Sequence, residues 1–221
     1  MHNSFMDEAL RDCYTSIPET FYYDAAHSCN PISSWYHNCR YSLVRTWVAE
    51  CYKPGYKIID IGCGAALWNR DRLPVTGIDM NEKLLDFGKR NGYLTSAVVG
   101  DFEIHQLPGN NFDIAVCSEV LEHVRKPGNL LEKISSTLRK SGRLILTVPY
   151  DTPLSAWRYL FEAQCFLHGS LLGKEYYKRK CGHINRFSPT SLRSLITSSG
   201  LSISLEKAAL RMNLAFLAEK I

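Results

Sequence analysis

The chain is expected to be an α/β protein, with a seven-stranded, mostly parallel sheet, helices on both faces and one antiparallel strand in a C-terminal hairpin. Three observations predict this. Seven short apolar runs can be marked, and the first five alternate with helix-like segments, which is the pattern of βαβ units. The last two runs are only a few residues apart, too close for a parallel crossover, so they should pair as a hairpin. In IIDIGCGAAL at 58–67, β-branched residues and an acid run straight into Gly62 and Gly64, as where a buried parallel strand turns tightly into a helix.

In chain order, the strand-like runs are KIIDI at 57–61, PVTGIDM at 74–80, AVVGD at 97–101, FDIAVCS at 112–118, RLILTVPY at 143–150, LSISLE at 201–206 and NLAFLAEKI at 213–221. Upstream, ISSWYHNCRYSLVRTWVAECY carries apolar and aromatic residues at helical spacing and should form a helix beside the crevice at the strand ends. Asn81 caps EKLLDFGKRNG, which stops at an Asn-Gly turn. KPGNLLEKISSTLRKSG should be a helix from about Pro127 to Gly142, and Ser188 and Pro189 open another that ends at Gly200.

At 221 residues the chain suits one domain over 1–221, comprising a helical segment at 1–55, the sheet, and an insertion at about 151–187. Hydrophobic residues make up 45% and charged residues 22%, an ordinary globular balance. No apolar run approaches a membrane span and the N-terminus lacks a signal-like apolar stretch, so a cytoplasmic protein is expected. Its eight cysteines contain no C-x-x-C pair and no histidine at a ligand spacing; they read as reduced thiols, with no metal expected. The net charge of +4 is too small to argue for a nucleic-acid partner.

Asp79 ends the second run, 17 residues after Gly62, where a doubly wound sheet places the carboxylate that grips a ribose. A dinucleotide fingerprint would want another small residue at position 67, and Leu67 fits poorly. The segment resembles instead the first motif of class I S-adenosylmethionine-dependent methyltransferases. Asp60, Gly62 and Gly64 match it, and Ala66 stands where a third glycine is usual. VVGDFEIHQLP resembles the family's adenine-binding motif, and FDIAVCSEVLEHVRKPGNLLEKISSTLRKSGRLILTVP is close to the fourth motif of the methyltransferase type 11 subfamily, which includes ubiquinone and menaquinone biosynthesis enzymes.

The resemblance implies a Rossmann-like fold and a methyltransferase acting on a small-molecule or lipid-like acceptor. It implies S-adenosylmethionine held by Asp60, Gly62, Cys63, Gly64, Asp79, Met80, Asp101, Phe102, Ser118 and Glu119. Arg40, in an aromatic stretch ahead of the first motif, could pair with the cofactor's carboxylate; it could equally sit on the surface. His123 is a candidate base or a shaping residue, and His183 and Arg186 in GHINRF are candidates for acceptor contacts. The insertion has an apolar half (Trp157, Leu160, Phe161, Phe166, Leu167, Leu171, Leu172) and a basic half at 174–180 of net +3. It could be a lid over the acceptor, a peripheral membrane contact at 155–180, or a helix docked on the sheet. An oxidoreductase of the dinucleotide-binding class and a non-catalytic S-adenosylmethionine-binding module are the alternatives.

Overall fold

Every residue of β1 (Ile58–Ile61) is buried, and the sheet is built outward from it. The computed structural model describes residues 8–104, 106, 107, 109, 111–153, 155–209 and 212–221. β1 pairs in parallel with β2 (Val75–Asp79) on one side and β4 (Phe112–Ser118) on the other. β3 (Ser96–Val99) lies outside β2, and β5 (Leu138–Pro149) continues the parallel set beside β4. β7 (Asn213–Lys220) runs antiparallel between β5 and β6 (Leu201–Ala209), giving the order β3-β2-β1-β4-β5-β7-β6. This is the expected Rossmann-like sheet with one antiparallel strand. The strand order reverses at β1, so a crevice opens beyond the carboxyl ends of β1 and β4.

Both faces of the sheet are covered, and successive strand residues feed opposite cores. Ile58, Ile114, Val116 and Ile145 pack with Val44, Trp47 and Val48 of α3 (Pro31–Cys51) and Leu85 of α4 (Glu82–Arg90). Ile59, Ala115, Leu144 and Leu146 pack with Leu131 and Ile134 of α5 (Pro127–Thr137) and Leu192 and Ile196 of α8 (Pro189–Ser198). Local signals set the helix starts. The side chains of Asn30 and Asn81 accept N–H groups from the first turns of α3 and α4, and Ser188 with Ser191 forms a reciprocal cap on α8.

The helix expected to reach Gly142 ends instead at Thr137, and β5 begins at Leu138 without a loop. Leu138 is fully buried and pairs with Phe112, so burial and sheet pairing override the helical pattern of LRKSG. The register with β4 then shifts before Arg143, and Ser141 takes φ 59° in that irregular stretch. Ahead of α3 lie two short helices, α1 (Glu8–Thr15) and α2 (Phe21–Ala26). The insertion is helical: α6 (Ala156–Cys165) runs into a π-type turn at Phe166–Leu171 and then α7 (Glu175–Lys178). Residues 1–7 of the expected N-terminal helical segment, His105 and Pro108 of VVGDFEIHQLP, and Leu154 of the insertion fall outside the described residues. No described helix is long and apolar enough to cross a membrane, and all eight cysteines are free thiols.

Candidate active site

A cavity of about 540 Å³ fills the crevice at the carboxyl ends of β1 and β4. Its floor is the strand ends, with Asp60, the Gly62–Gly64 turn, Asp79, Ser118 and Glu119. One wall is α3 with Tyr36, His37 and Arg40; the N-terminal helices contribute Tyr14 and Tyr22, and the insertion Trp157, Phe161 and Tyr176.

The glycine turn is fixed by its own backbone. Gly62 and Gly64 have φ 65° and 51°, in the left-handed region where a Cβ is costly. The N–H groups of Gly62 and Cys63 donate to the Ile78 carbonyl at 2.8 and 3.2 Å, which ties the turn to β2. Asp79 closes it: one oxygen accepts from Gly64 N and the other from Asn81 N, both at 2.8 Å. Burial pushes the Asp79 carboxyl above its ordinary range and these N–H groups pull it back.

Ala66 takes φ 51°, so the position where the motif usually has glycine is left-handed here too. Ala66→Gly should remove about 1–2 kcal/mol of conformational strain and give back about 0.4–1 kcal/mol in unfolded-chain entropy. The expected outcome of thermal unfolding is an unchanged midpoint or a rise of a few degrees; a clear fall would show that the turn is not strained.

The floor acids sit in distinct environments. Asp60 is buried and accepts from the Trp68 indole N–H at 2.7 Å; burial pushes its carboxyl up to about 7. Glu119 directly follows β4 with φ 59°, an unfavourable angle for a residue with a Cβ. Its carboxylate is held from three elements, by Tyr36 Oη at 2.8 Å, Thr147 Oγ1 at 3.1 Å and Asn213 Nδ2 at 3.1 Å. Arg40 is buried, not on the surface. It lies 3.6 Å from Glu119 and over the rings of Tyr36 and Tyr41, and its Nε has no hydrogen-bond partner among the described residues. Met80 and Phe102 line the cavity, whereas Asp101, 1% exposed, is not among the lining residues; its Oδ1 accepts from Glu103 N at 2.9 Å and so holds the turn that carries Phe102.

Deeper in, Glu122, His123 and His183 bring one carboxylate oxygen and two ring nitrogens within 4.8 Å of one another, a spacing that suits proton transfer or a cation. Glu122 is 1% exposed and neither of its oxygens has a hydrogen-bond partner among the described residues. Burial, then the Glu119 charge, drives its carboxyl well above the usual range. Burial holds His123 down to about 4 and His183 to about 2. With His123 held neutral by burial, its 3.7 Å contact with Glu122 is not an ion pair. The His183 ring lies parallel to Trp157 and Phe161, with centroids 5.5 and 4.8 Å away. Arg186 does not reach the cavity; it pairs with Asp151 at 3.3 Å and Glu162 at 3.7 Å on the outside of the insertion.

The Arg186 expectation failed because nothing in GHINRF shows that Asp151 and Glu162 come to lie beside it. Tyr14, Tyr22, Tyr36 and Asn213 were missed by sequence reasoning. The side-chain hydrogen-bond partners of Tyr14, Tyr36 and Asn213 lie 83 to 177 residues away in sequence, and no local pattern marks them.

Comparison with known proteins agrees with this geometry. A family described as a methyltransferase domain matches residues 36–205. The mitochondrial ubiquinone biosynthesis O-methyltransferase of Schizosaccharomyces pombe is 36% identical over 117 residues, covering 48% of this chain and 42% of that protein. The ubiquinone biosynthesis O-methyltransferase of Xanthomonas euvesicatoria pv. vesicatoria is 26% identical over 188 residues, covering 80% and 71%. The chain thus spans less than half of the first of these relatives. Among solved structures, magnesium protoporphyrin IX methyltransferase of Synechocystis PCC 6803 superposes with TM-score 0.70 at 17% identity, covering 96% of this chain and 99% of that one. The family match extends over most of the sheet and the whole of the motif region, and the chain belongs to the methyltransferase domain family.

Proposed function

We propose that the protein is an S-adenosylmethionine-dependent methyltransferase that methylates a hydroxyl of a small-molecule acceptor. The observation that carries this reading is the charge of the cavity. Among the described residues its lining holds four carboxyl side chains, Asp60, Asp79, Glu119 and Glu122, three of which (Asp60, Asp79 and Glu122) burial shifts toward the neutral form, against one fixed cation, Arg40; burial keeps His37 neutral, at about 3, as it does His123 and His183. Such a lining disfavours a dinucleotide, whose pyrophosphate is anionic. It suits a ligand with a sulfonium, an ammonium and a single carboxylate, for which the unpartnered Arg40 Nε is a ready donor.

When bound, S-adenosylmethionine supplies an electrophilic methyl group on sulfur. Asp79 is the proposed acceptor for the ribose hydroxyls, and Met80 and Phe102 cover the adenine, with Asp101 fixing the Phe102 turn. Gly62, Cys63, Gly64, Asp60 and Arg40 surround the amino-acid end, and Ser118 and Glu119 lie below the reacting centre. Most of the acceleration comes from alignment. His123 takes the acceptor hydroxyl's proton on Nε2; with its basicity lowered by burial, it does so as the new oxygen–carbon bond forms and the hydroxyl becomes acidic. His183, with Trp157 and Phe161, forms the acceptor wall. The names of the ubiquinone-biosynthesis relatives support an oxygen acceptor on an apolar molecule.

A peripheral membrane contact fits the same reading. Phe166, Leu167, Leu171 and Leu172 are exposed on the insertion, next to Lys174, Lys178, Arg179 and Lys180, and a cytoplasmic enzyme could rest this face on an anionic bilayer to collect a lipid-like acceptor.

Calorimetry with S-adenosylhomocysteine and with NADH tests the cofactor. Binding of the first and not the second is expected, and Asp79→Ala should weaken it at least about tenfold, since charge-assisted hydrogen bonds contribute about 1.5–3 kcal/mol. Binding by the variant within twofold of the parent would remove Asp79 as ribose ligand. Transfer of labelled methyl groups to hydroxylated aromatic acceptors then separates an enzyme from a binding module.

A further inference from the structure

We infer that Tyr14, on the N-terminal helix, is a positioning residue that fixes His123 in the tautomer whose Nε2 carries the free lone pair. The inference rests on the reading of His123 as the base. It follows from counting protons around one hydroxyl. Tyr14 Oη lies 2.8 Å from the Cys181 carbonyl and 2.7 Å from His123 Nδ1, and Nδ1 lies 3.2 Å from the Gly182 carbonyl. The Tyr176 ring packs edge-on against Tyr14, with ring centroids 6.0 Å apart.

Carbonyl oxygens only accept, and a tyrosine hydroxyl has one proton to give. If Tyr14 gave it to Nδ1, the Cys181 carbonyl would lose that donor and the Nδ1 lone pair would face the Gly182 carbonyl lone pairs. If Tyr14 gives it to Cys181, then Nδ1–H donates to Tyr14 Oη and leans toward Gly182, and every group in the cluster is satisfied. The second arrangement is the one buried polar groups adopt, because an unmade bond there is costly. Burial also keeps the Tyr14 hydroxyl protonated. Nε2 is then unprotonated, on the side of the ring that lies 3.7 Å from Glu122.

Tyr14 is itself held in place. The Asn81 side chain, buried at 2% exposure, donates Nδ2 to the carbonyls of Tyr14 and Ile17 at 2.8 and 3.0 Å while its Oδ1 caps α4. The same asparagine that starts the helix behind Asp79 thus docks the segment that orients the base, and the reactive tautomer is present only while α1 is docked.

The test is long-range proton–nitrogen correlation NMR of the full chain labelled with nitrogen-15 histidine, together with kinetics of Tyr14→Phe. Expected for the parent are a protonated Nδ1 and an unprotonated Nε2 at His123. Expected for Tyr14→Phe are a mixed tautomer signal and a kcat about tenfold lower toward a hydroxyl acceptor, the loss of one buried hydrogen bond, with cofactor affinity and acceptor KM within about twofold. A parent spectrum with the proton on Nε2, or a Tyr14→Phe kcat equal to the parent's, overturns the inference. His123→Gln separates this from failure of the underlying reading: if that variant keeps the parent kcat, His123 is not the base and the positioning role falls with it, whatever the tautomer spectrum shows.

Discussion

Gly62→Val is expected to abolish cofactor binding while leaving a folded α/β sheet. The residue has φ 65°, and a Cβ built on it would lie 2.5 Å from Val120 Cγ2 and 3.4 Å from Phe102 Cε1. The missing side chain therefore faces the wall that joins the end of β1 to the segment after β4, rather than open cavity. A valine must displace Val120 and Phe102, two residues that line the cavity, and must also hold a left-handed angle that a β-branched residue resists. Strain of about 1–2 kcal/mol and overpacking of about 1–3 kcal/mol remain below the roughly 5–15 kcal/mol that holds an ordinary domain together. The variant should therefore fold, with a midpoint lower by roughly 5–15 °C. Gly64 differs: its Cβ would meet Leu84 and Tyr22 at an ordinary 3.8 Å, so Gly64→Ala should lose much less affinity than Gly62→Val. Calorimetry with S-adenosylhomocysteine, alongside circular dichroism, reads both. Gly62→Val binding at the parent affinity would show that the turn does not shape the cofactor site.

The middle of the sheet was legible in the sequence because its inner strands are buried on both faces. Ile58 to Ile61, and Phe112 to Ser118 with its alternating contributions to two cores, can only be interior strands. Helix starts were legible where a side chain acts within three residues of itself, as at Asn81 and Ser188. The end of α5 was not, because the fate of Leu138 depends on Phe112 across the sheet. The same division runs through the site. Gly62, Gly64 and Asp79 lie on adjacent strand ends and announce themselves by spacing. His123 and His183 could each be named from the sequence, but with Glu122 they meet only after the chain returns from the insertion, so no spacing along the sequence groups them. Arg40 was read as ambiguous for the same reason: its burial depends on Glu119, Tyr36 and Tyr41 closing around it.

Replacing residues 155–180 by a short glycine linker should leave cofactor affinity nearly unchanged and eliminate methyl transfer. The sequence alone left open whether this insertion is core, lid or membrane contact, and the packing bears on that choice. None of residues 155–180 belongs to either of the two buried clusters that sandwich the sheet. Ser155, Trp157, Cys165 and Gly169 are the buried residues among them, and Trp157, at 5%, faces His183 in the cavity rather than the sheet. Much of the remaining apolar surface is open, with Phe166 at 61% and Leu171 at 63%. Deletion thus removes the wall opposite the strand ends and little that holds the domain together. The cofactor's proposed contacts, at the Gly62–Gly64 turn, Asp79, Arg40 and Glu119, come from β1, β2, α3 and β4 and remain. The acceptor loses Trp157 and Phe161 and the closure that keeps water from the reacting atoms. The two readouts must separate: calorimetry of S-adenosylhomocysteine close to the parent, and labelled methyl transfer at background. An unfolded deletion variant would place the segment in the core. Transfer at the parent rate would move the acceptor away from the insertion, and loss of sedimentation with anionic vesicles in the same variant would then make the exposed Phe166–Leu172 face a membrane contact and nothing more.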